Sequence, residues 1–179
     1  IIDGSDSDAS QDEVVLLVAL DSDGIGACTG TLIAPNLILT ARHCLARVGE
    51  GGVACDAKGN GLSPGSKVLG DRRATGFYVF VGPNRPNFHK GDVPIAAKGQ
   101  KIITDGAKVL CSHDIGLLVL DRKVENAKIA PVRLSEPVMP GEKFTAVGWG
   151  LTEKGGQTSK RQQRTGIEVG GVGPDKGSN

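Results

Sequence analysis

The sequence predicts an all-β fold of short strands and many turns, and three observations carry that expectation. Glycine supplies 27 of the 179 residues, about twice its usual share of a globular chain. The apolar runs are short, β-branched and bounded by Gly, Pro, Asn or Asp, whereas stretches with helical periodicity are scarce. The strands fall at irregular spacing without a repeat or heptad, a pattern that fits Greek-key barrels or a sandwich. A chain of this length can hold one large or two small domains.

In chain order, the polar, acidic stretch from Asp3 to Glu13 reads as a solvated loop, and Val14 to Leu20 as a buried strand. That strand is the longest uninterrupted apolar run, far short of the roughly 20 residues that cross a bilayer. Cys28 to Thr40 reads as a hairpin turning at Pro35-Asn36, which delivers His43 beside Cys44. Residues Val48 to Thr75, rich in Gly, Lys, Asp and Ser and without a period, read as a long insertion. Phe77 to Val81 is the next strand, followed by weaker ones at Lys101 to Ile103 and Lys108 to Leu110. Ile115 to Leu120 reads as a buried run, and Phe144 to Gly148 and Thr165 to Val169 as strands. The polar loop Thr152 to Arg164 between the last two carries Lys160, Arg161 and Arg164, which read as solvated.

Lys and Arg number 21 against 20 for Asp and Glu, a net charge of +1, which gives no electrostatic reason to expect nucleic acid or an acidic membrane as partner. The four cysteines, Cys28, Cys44, Cys55 and Cys111, form an even set without a Cys-x-x-Cys pair, so disulfides in an oxidising compartment fit better than zinc or thioredoxin-like chemistry. His89 and His113 match no metal-ligand spacing and read as ordinary loop histidines. Gly24-Ile25-Gly26 is only a fragment of a dinucleotide fingerprint. No metal and no cofactor is expected. Trp149 reads as a packing residue.

Two residues draw a catalytic reading. A general base needs a side chain titrating near neutral pH on a scaffold that fixes its ring, and His43, at a strand end beside a half-cystine, has both. Asp114 directly precedes an apolar run, where a carboxylate would be partly desolvated and in need of a donor. His43 is the obvious donor: an aspartate on one ring nitrogen fixes the tautomer and leaves the other free to take a proton. Taken alone, His43 could instead simply pack, and Asp114 cap a turn or pair with a lysine.

Four motifs in order, Thr29-Gly30-Thr31-Leu32-Ile33, Leu39-Thr40-Ala41-Arg42-His43-Cys44, Asp114-Ile115-Gly116-Leu117-Leu118 and Gly148-Trp149-Gly150, resemble the trypsin-like serine proteases of the chymotrypsin fold. The start, Ile1-Ile2-Asp3-Gly4, is similar to the family's mature amino terminus. The resemblance runs from Ile1 to about Trp149, and more loosely from Arg161 to Val172. It implies a double Greek-key β-barrel, with the first barrel, carrying His43 and Asp114, in residues 1–140 and the opening strands of the second in 141–179. It makes His43 the general base and acid, Asp114 its orienting carboxylate, Cys28 and Cys44 the disulfide flanking the histidine, and Ile1 the activating amino terminus that pairs with an aspartate beside the nucleophile.

The family's Gly-Asp-Ser-Gly-Gly motif does not occur between Gly150 and Asn179. The resemblance therefore leads us to expect the serine, the oxyanion-hole amides and the specificity pocket on a separate C-terminal chain of the same precursor, cut in an exposed segment near Gly170 to Asn179. This chain would then be the larger, amino-terminal part of a secreted or periplasmic serine endopeptidase acting on protein or peptide substrates. The alternative is an inactive homologue that binds a protein partner. The insertion at about 48–75 exceeds the family's usual length and contains Cys55, while the resemblance would put Cys111 on the rim of the substrate cleft. A Cys55 to Cys111 disulfide is expected, contributing a few kcal/mol. Arg42 stands where the family commonly has a small residue.

Overall fold

The computed structural model describes residues 1–22, 24–88, 93–153, 155–156 and 158–172. Its strands are β1 (Ser5–Asp6), β2 (Val14–Asp21), β3 (Gly24–Ala34), β4 (Leu37–Thr40), β5 (Ala46–Val48) and β6 (Val68–Asp71), then β7 (Phe77–Phe80), β8 (Ala97–Ile103), β9 (Gly116–Leu120), β10 (Lys143–Gly148) and β11 (Gln162–Glu168). The α-helix described, α1, spans Arg42–Leu45. Among the described residues no helix is long and apolar enough to cross a membrane.

Six strands close an antiparallel barrel in the order β2-β3-β4-β9-β8-β7. Its interior is filled by Val15, Leu17, Leu32, Ile38, Val79, Leu118 and Leu120 with Phe77 and Leu45, each such burial contributing about 1.5 to 3 kcal/mol. The packing is close enough to dictate a glycine: a Cβ on Gly30 would lie 2.5 Å from Ile38 Cγ2. On β2 both faces are covered, because Leu16 and Val18 point outward against Phe80 and Trp149. That is why Val14 to Ala19 is continuously apolar where a half-exposed strand would alternate.

β1, β11 and β10 form a second, open sheet, so the amino-terminal segment is hydrogen-bonded to the late strands. Trp149 N–H joins it to the barrel, donating to Thr29 Oγ1 at 2.9 Å. Beside it Phe144, Leu151 and Val138 are exposed.

The structure corrects several expectations. Arg161, expected in solvent, is fully buried: its guanidinium donates to Ser7 Oγ at 2.7 Å, Val14 O at 2.6 Å, Asp8 O and Asp12 Oδ1. The acidic stretch Asp3 to Glu13 is correspondingly tied down, with β1 and a short 3-10 turn at Ala9–Gln11 capped by Asp8. Gln162 to Arg164, assigned to a loop, open β11 because they pair with Gly148, Val147 and Ala146 of β10, and Gln162 and Gln163 also with Asp6 and Ser5 of β1. Ile115 is 58% exposed, and burial begins at Gly116, where β9 pairs with β4. Lys108 to Leu110 is no strand but a single bridge, Lys67 to Val109. The aperiodic insertion contains β6, which pairs with β5 over a small core of Ala46, Val68 and Leu110.

Candidate active site

The barrel register brings the two catalytic candidates together. β4 and β9 are antiparallel, with Thr40 opposite Gly116, so the chain leaving β4 and the chain entering β9 meet at one end. His43 lies three residues beyond Thr40 and Asp114 two before Gly116. α1 turns the histidine outward, because its neighbours are anchored inward: Leu45 is fully buried in the barrel core, Cys44 is bonded to Cys28 of β3, and Arg42 is 3% exposed.

Asp114 commits both oxygens to this residue: Oδ1 accepts the His43 backbone N–H at 2.8 Å, and Oδ2 stands 2.8 Å from Nδ1. With Nδ1–H given to the carboxylate, Nε2 carries the lone pair, and it has no hydrogen-bond partner among the described residues. The side chains are 50% and 40% exposed, so the Asp114 carboxylate is partly desolvated but not buried. At that exposure an ion pair adds only about 0 to 1 kcal/mol of stability. What the two contacts do fix is the orientation of the ring.

Beside the ring is a shallow recess of about 80 Å³ lined by Ala27, Cys28, Cys44, Arg72 and Phe77. Cys28 and Cys44 sulfurs lie within 4.8 Å of a His43 nitrogen. Bonded to each other, they offer no thiolate to a metal. A second bridge joins Cys55 to Cys111. Arg42 Nη1 is 2.6 Å from Asp71 Oδ1, an ion pair off the line of an N–H bond.

His113 lies in a turn, with Nδ1 2.5 Å from Asp105 Oδ2 of the same loop. The Asp105 carboxyl is held below the usual carboxylate range, first by the Ala107 N–H and then by His113, with Arg42 adding a smaller Coulombic pull. The Ile1 ammonium donates to Leu151 O. His89 lies outside the described residues, as does the expected cut segment from residue 173 onward.

One motif escaped the sequence reading. Gly61-Leu62-Ser63-Pro64-Gly65 has the Gly-x-Ser-x-Gly spacing, but it enters a 3-10 turn rather than the strand-to-helix elbow that exposes a nucleophile. Ser63 Oγ donates to Gly52 O at 2.7 Å and accepts Ala54 N–H at 3.0 Å, so its hydroxyl holds the insertion together. Asp105 was also missed, and Arg161 was misread as solvated. A spacing of eight residues could have flagged Asp105 for His113, whereas nothing in the polar stretch from Thr152 to Arg164 marks Arg161 as buried.

Comparison with known proteins agrees with this geometry. The chain is 26% identical over 170 residues to a trypsin of Saccharopolyspora erythraea, covering 94% of this chain and 63% of that protein. It is 26% identical to human granzyme M, covering 86% of this chain and 51% of the relative. It is 31% identical to phenoloxidase-activating factor 1 of Holotrichia diomphalia, covering 80% and 38%. The chain thus spans between about two fifths and two thirds of the length of these relatives. The solved structure of GrC shares its fold, with a TM-score of 0.62 at 21% identity over 92% of this chain and 64% of that one. The trypsin family model matches residues 1–179, and the chain belongs to the trypsin-like serine protease family.

Proposed function

We propose that the protein is a secreted serine endopeptidase in which His43 and Asp114 serve a serine carried on sequence beyond these residues. The observation that carries this reading is the double contact of Asp114 with the His43 backbone and Nδ1, which leaves Nε2 open to solvent. In that role Nε2 takes the proton of the attacking hydroxyl and returns it to the leaving amine. Asp114 keeps the imidazole in the right tautomer and stabilises its protonated form, the division of labour of the serine-protease template. The nucleophile is assigned elsewhere because Gly-Asp-Ser-Gly-Gly is absent here and Ser63 is otherwise engaged. The open edge of the β1-β11-β10 sheet and the exposed Phe144 and Leu151 support completion by a further polypeptide segment. Two disulfides favour an oxidising compartment. The Ile1 ammonium donates to Leu151 O; its expected pairing, as the activating terminus, with an aspartate beside the nucleophile belongs to this proposal.

The full-length protein should react with a fluorophosphonate probe and cleave peptide substrates, both reactions being lost in its His43→Ala variant. Absence of labelling in the parent would instead favour an inactive, partner-binding homologue.

A further inference from the structure

The insertion between β5 and β6 lies outside the barrel interior and the open sheet; it packs on the turn that leads into Asp114. Ser66, fully buried, is its centre. Its hydroxyl donates to Ala54 O at 2.7 Å, accepts Ala54 N–H at 3.1 Å and lies 3.0 Å from Ser63 Oγ. Its carbonyl accepts the Leu110 N–H at 2.8 Å, and Val68 N–H donates to Lys108 O at 2.9 Å. Cys55 is bonded to Cys111, and Leu110 is buried against Ala46 and Val68. From this clamped turn the chain passes through Ser112, at a left-handed φ of 61°, and His113, whose N–H donates to Leu110 O at 2.8 Å, to Asp114. A non-glycine residue holds such a φ only when its surroundings over-determine it. At the other end of the insertion Asp71 meets Arg42, the buried neighbour of His43.

His43 therefore directly follows Arg42, and Asp114 lies three residues after Cys111, and the same segment grips both of these residues. A half-exposed ion pair cannot by itself hold its partners in register, so the backbone must. We infer that residues 49–71 are a brace that sets the reach of the Asp114 carboxylate to His43, with Ser66 and the Cys55–Cys111 bridge as positioning residues. The inference rests on the proposed peptidase reading for its kinetic readout, not for its structural one.

The test compares Cys55→Ser/Cys111→Ser and, separately, Ser66→Ala with the parent in the full-length protein. On a peptide substrate kcat should fall on the order of 10- to 100-fold, as expected for a small displacement of a catalytic group, with KM within about twofold. The second readout is the low-field proton resonance of the hydrogen-bonded His43 Nδ1–H, assigned by its absence in His43→Ala. It should weaken or vanish in both variants through exchange with water, whether or not the protein is a peptidase. A resonance as strong in both variants as in the parent overturns the brace, whatever kcat does. An inactive parent whose resonance is lost in the variants sinks the proposed function and leaves the brace standing. Should the double variant lose its near-UV circular dichroism, Ser66→Ala alone decides.

Discussion

Two histidine–aspartate pairs follow one another along the chain, and as ion pairs they are nearly indistinguishable. His43 Nδ1 stands 2.8 Å from Asp114 and His113 Nδ1 2.5 Å from Asp105, with side-chain exposures of 50% and 40% in the first and 43% and 46% in the second. What differs is the support. The first pair joins residues 71 apart, from α1 and from the entry to a barrel strand, and both carboxylate oxygens grip one residue. The second joins residues eight apart within one loop, and the remaining Asp105 oxygen takes the Ala107 N–H of that loop at 3.0 Å. An imidazole beside a carboxylate is thus no signature of catalysis. A ring fixed from two distant elements, with its second nitrogen free at a cleft, is what the chemistry needs.

Turnover should separate the pairs most. In the full-length protein His43→Ala is expected to lower kcat/KM on the order of 10⁴-fold or more, and Asp114→Asn by about 10⁴-fold through loss of the correct tautomer. His113→Ala and Asp105→Asn should lower it far less, because neither side chain touches the reacting groups. Steady-state assays on a peptide substrate check all four. A His113→Ala protein as impaired as His43→Ala would break the distinction.

A third ionic contact sharpens the contrast, because Arg161 is fully buried where both histidine pairs are half in water. Arg161→Met would strand Ser7, Val14 O and Asp8 O without their donor, at about 3 kcal/mol. Urea unfolding should show the loss as a lower midpoint at unchanged slope, whereas His113→Ala should scarcely move it.

Legibility in the sequence divides along the same line. The barrel strands, the hairpin at Pro35-Asn36 and the meeting of His43 with Asp114 were readable, because short bounded apolar runs, turn chemistry and ordered motifs are signals in the sequence that a closed barrel merely brings together. Arg161 was not, since its burial depends on β1 folding back from the other end of the chain. Lys108 to Leu110 was misjudged for a related reason: it is tied to the insertion by single hydrogen bonds and the neighbouring disulfide, which leave no period to detect. Ile115 was misread because the apolar run was taken to be buried from its first residue, one position before burial starts.

The smallest effect expected is one of pH, and it tests whether the second pair is only a loop clasp. The Asp105 carboxyl is held below its ordinary value of 3.8, chiefly by the Ala107 N–H and next by His113. A folded-state pKa below the unfolded one means that the unfolded chain binds the proton more readily as pH falls. The clasp therefore contributes fully above about pH 4 and is lost as pH drops through the lowered folded value. Asp6, Asp8, Asp56 and Glu142 are lowered in the same direction by their own hydrogen bonds, so acid sensitivity as a whole will survive any single change. Asp105→Asn should nevertheless flatten the fall of the urea midpoint below pH 4 relative to the parent, while above pH 5 it lowers the midpoint slightly. A parallel fall in both proteins would show that the contact does not persist in solution, and the likeness between the two pairs would then be one of drawn distances alone.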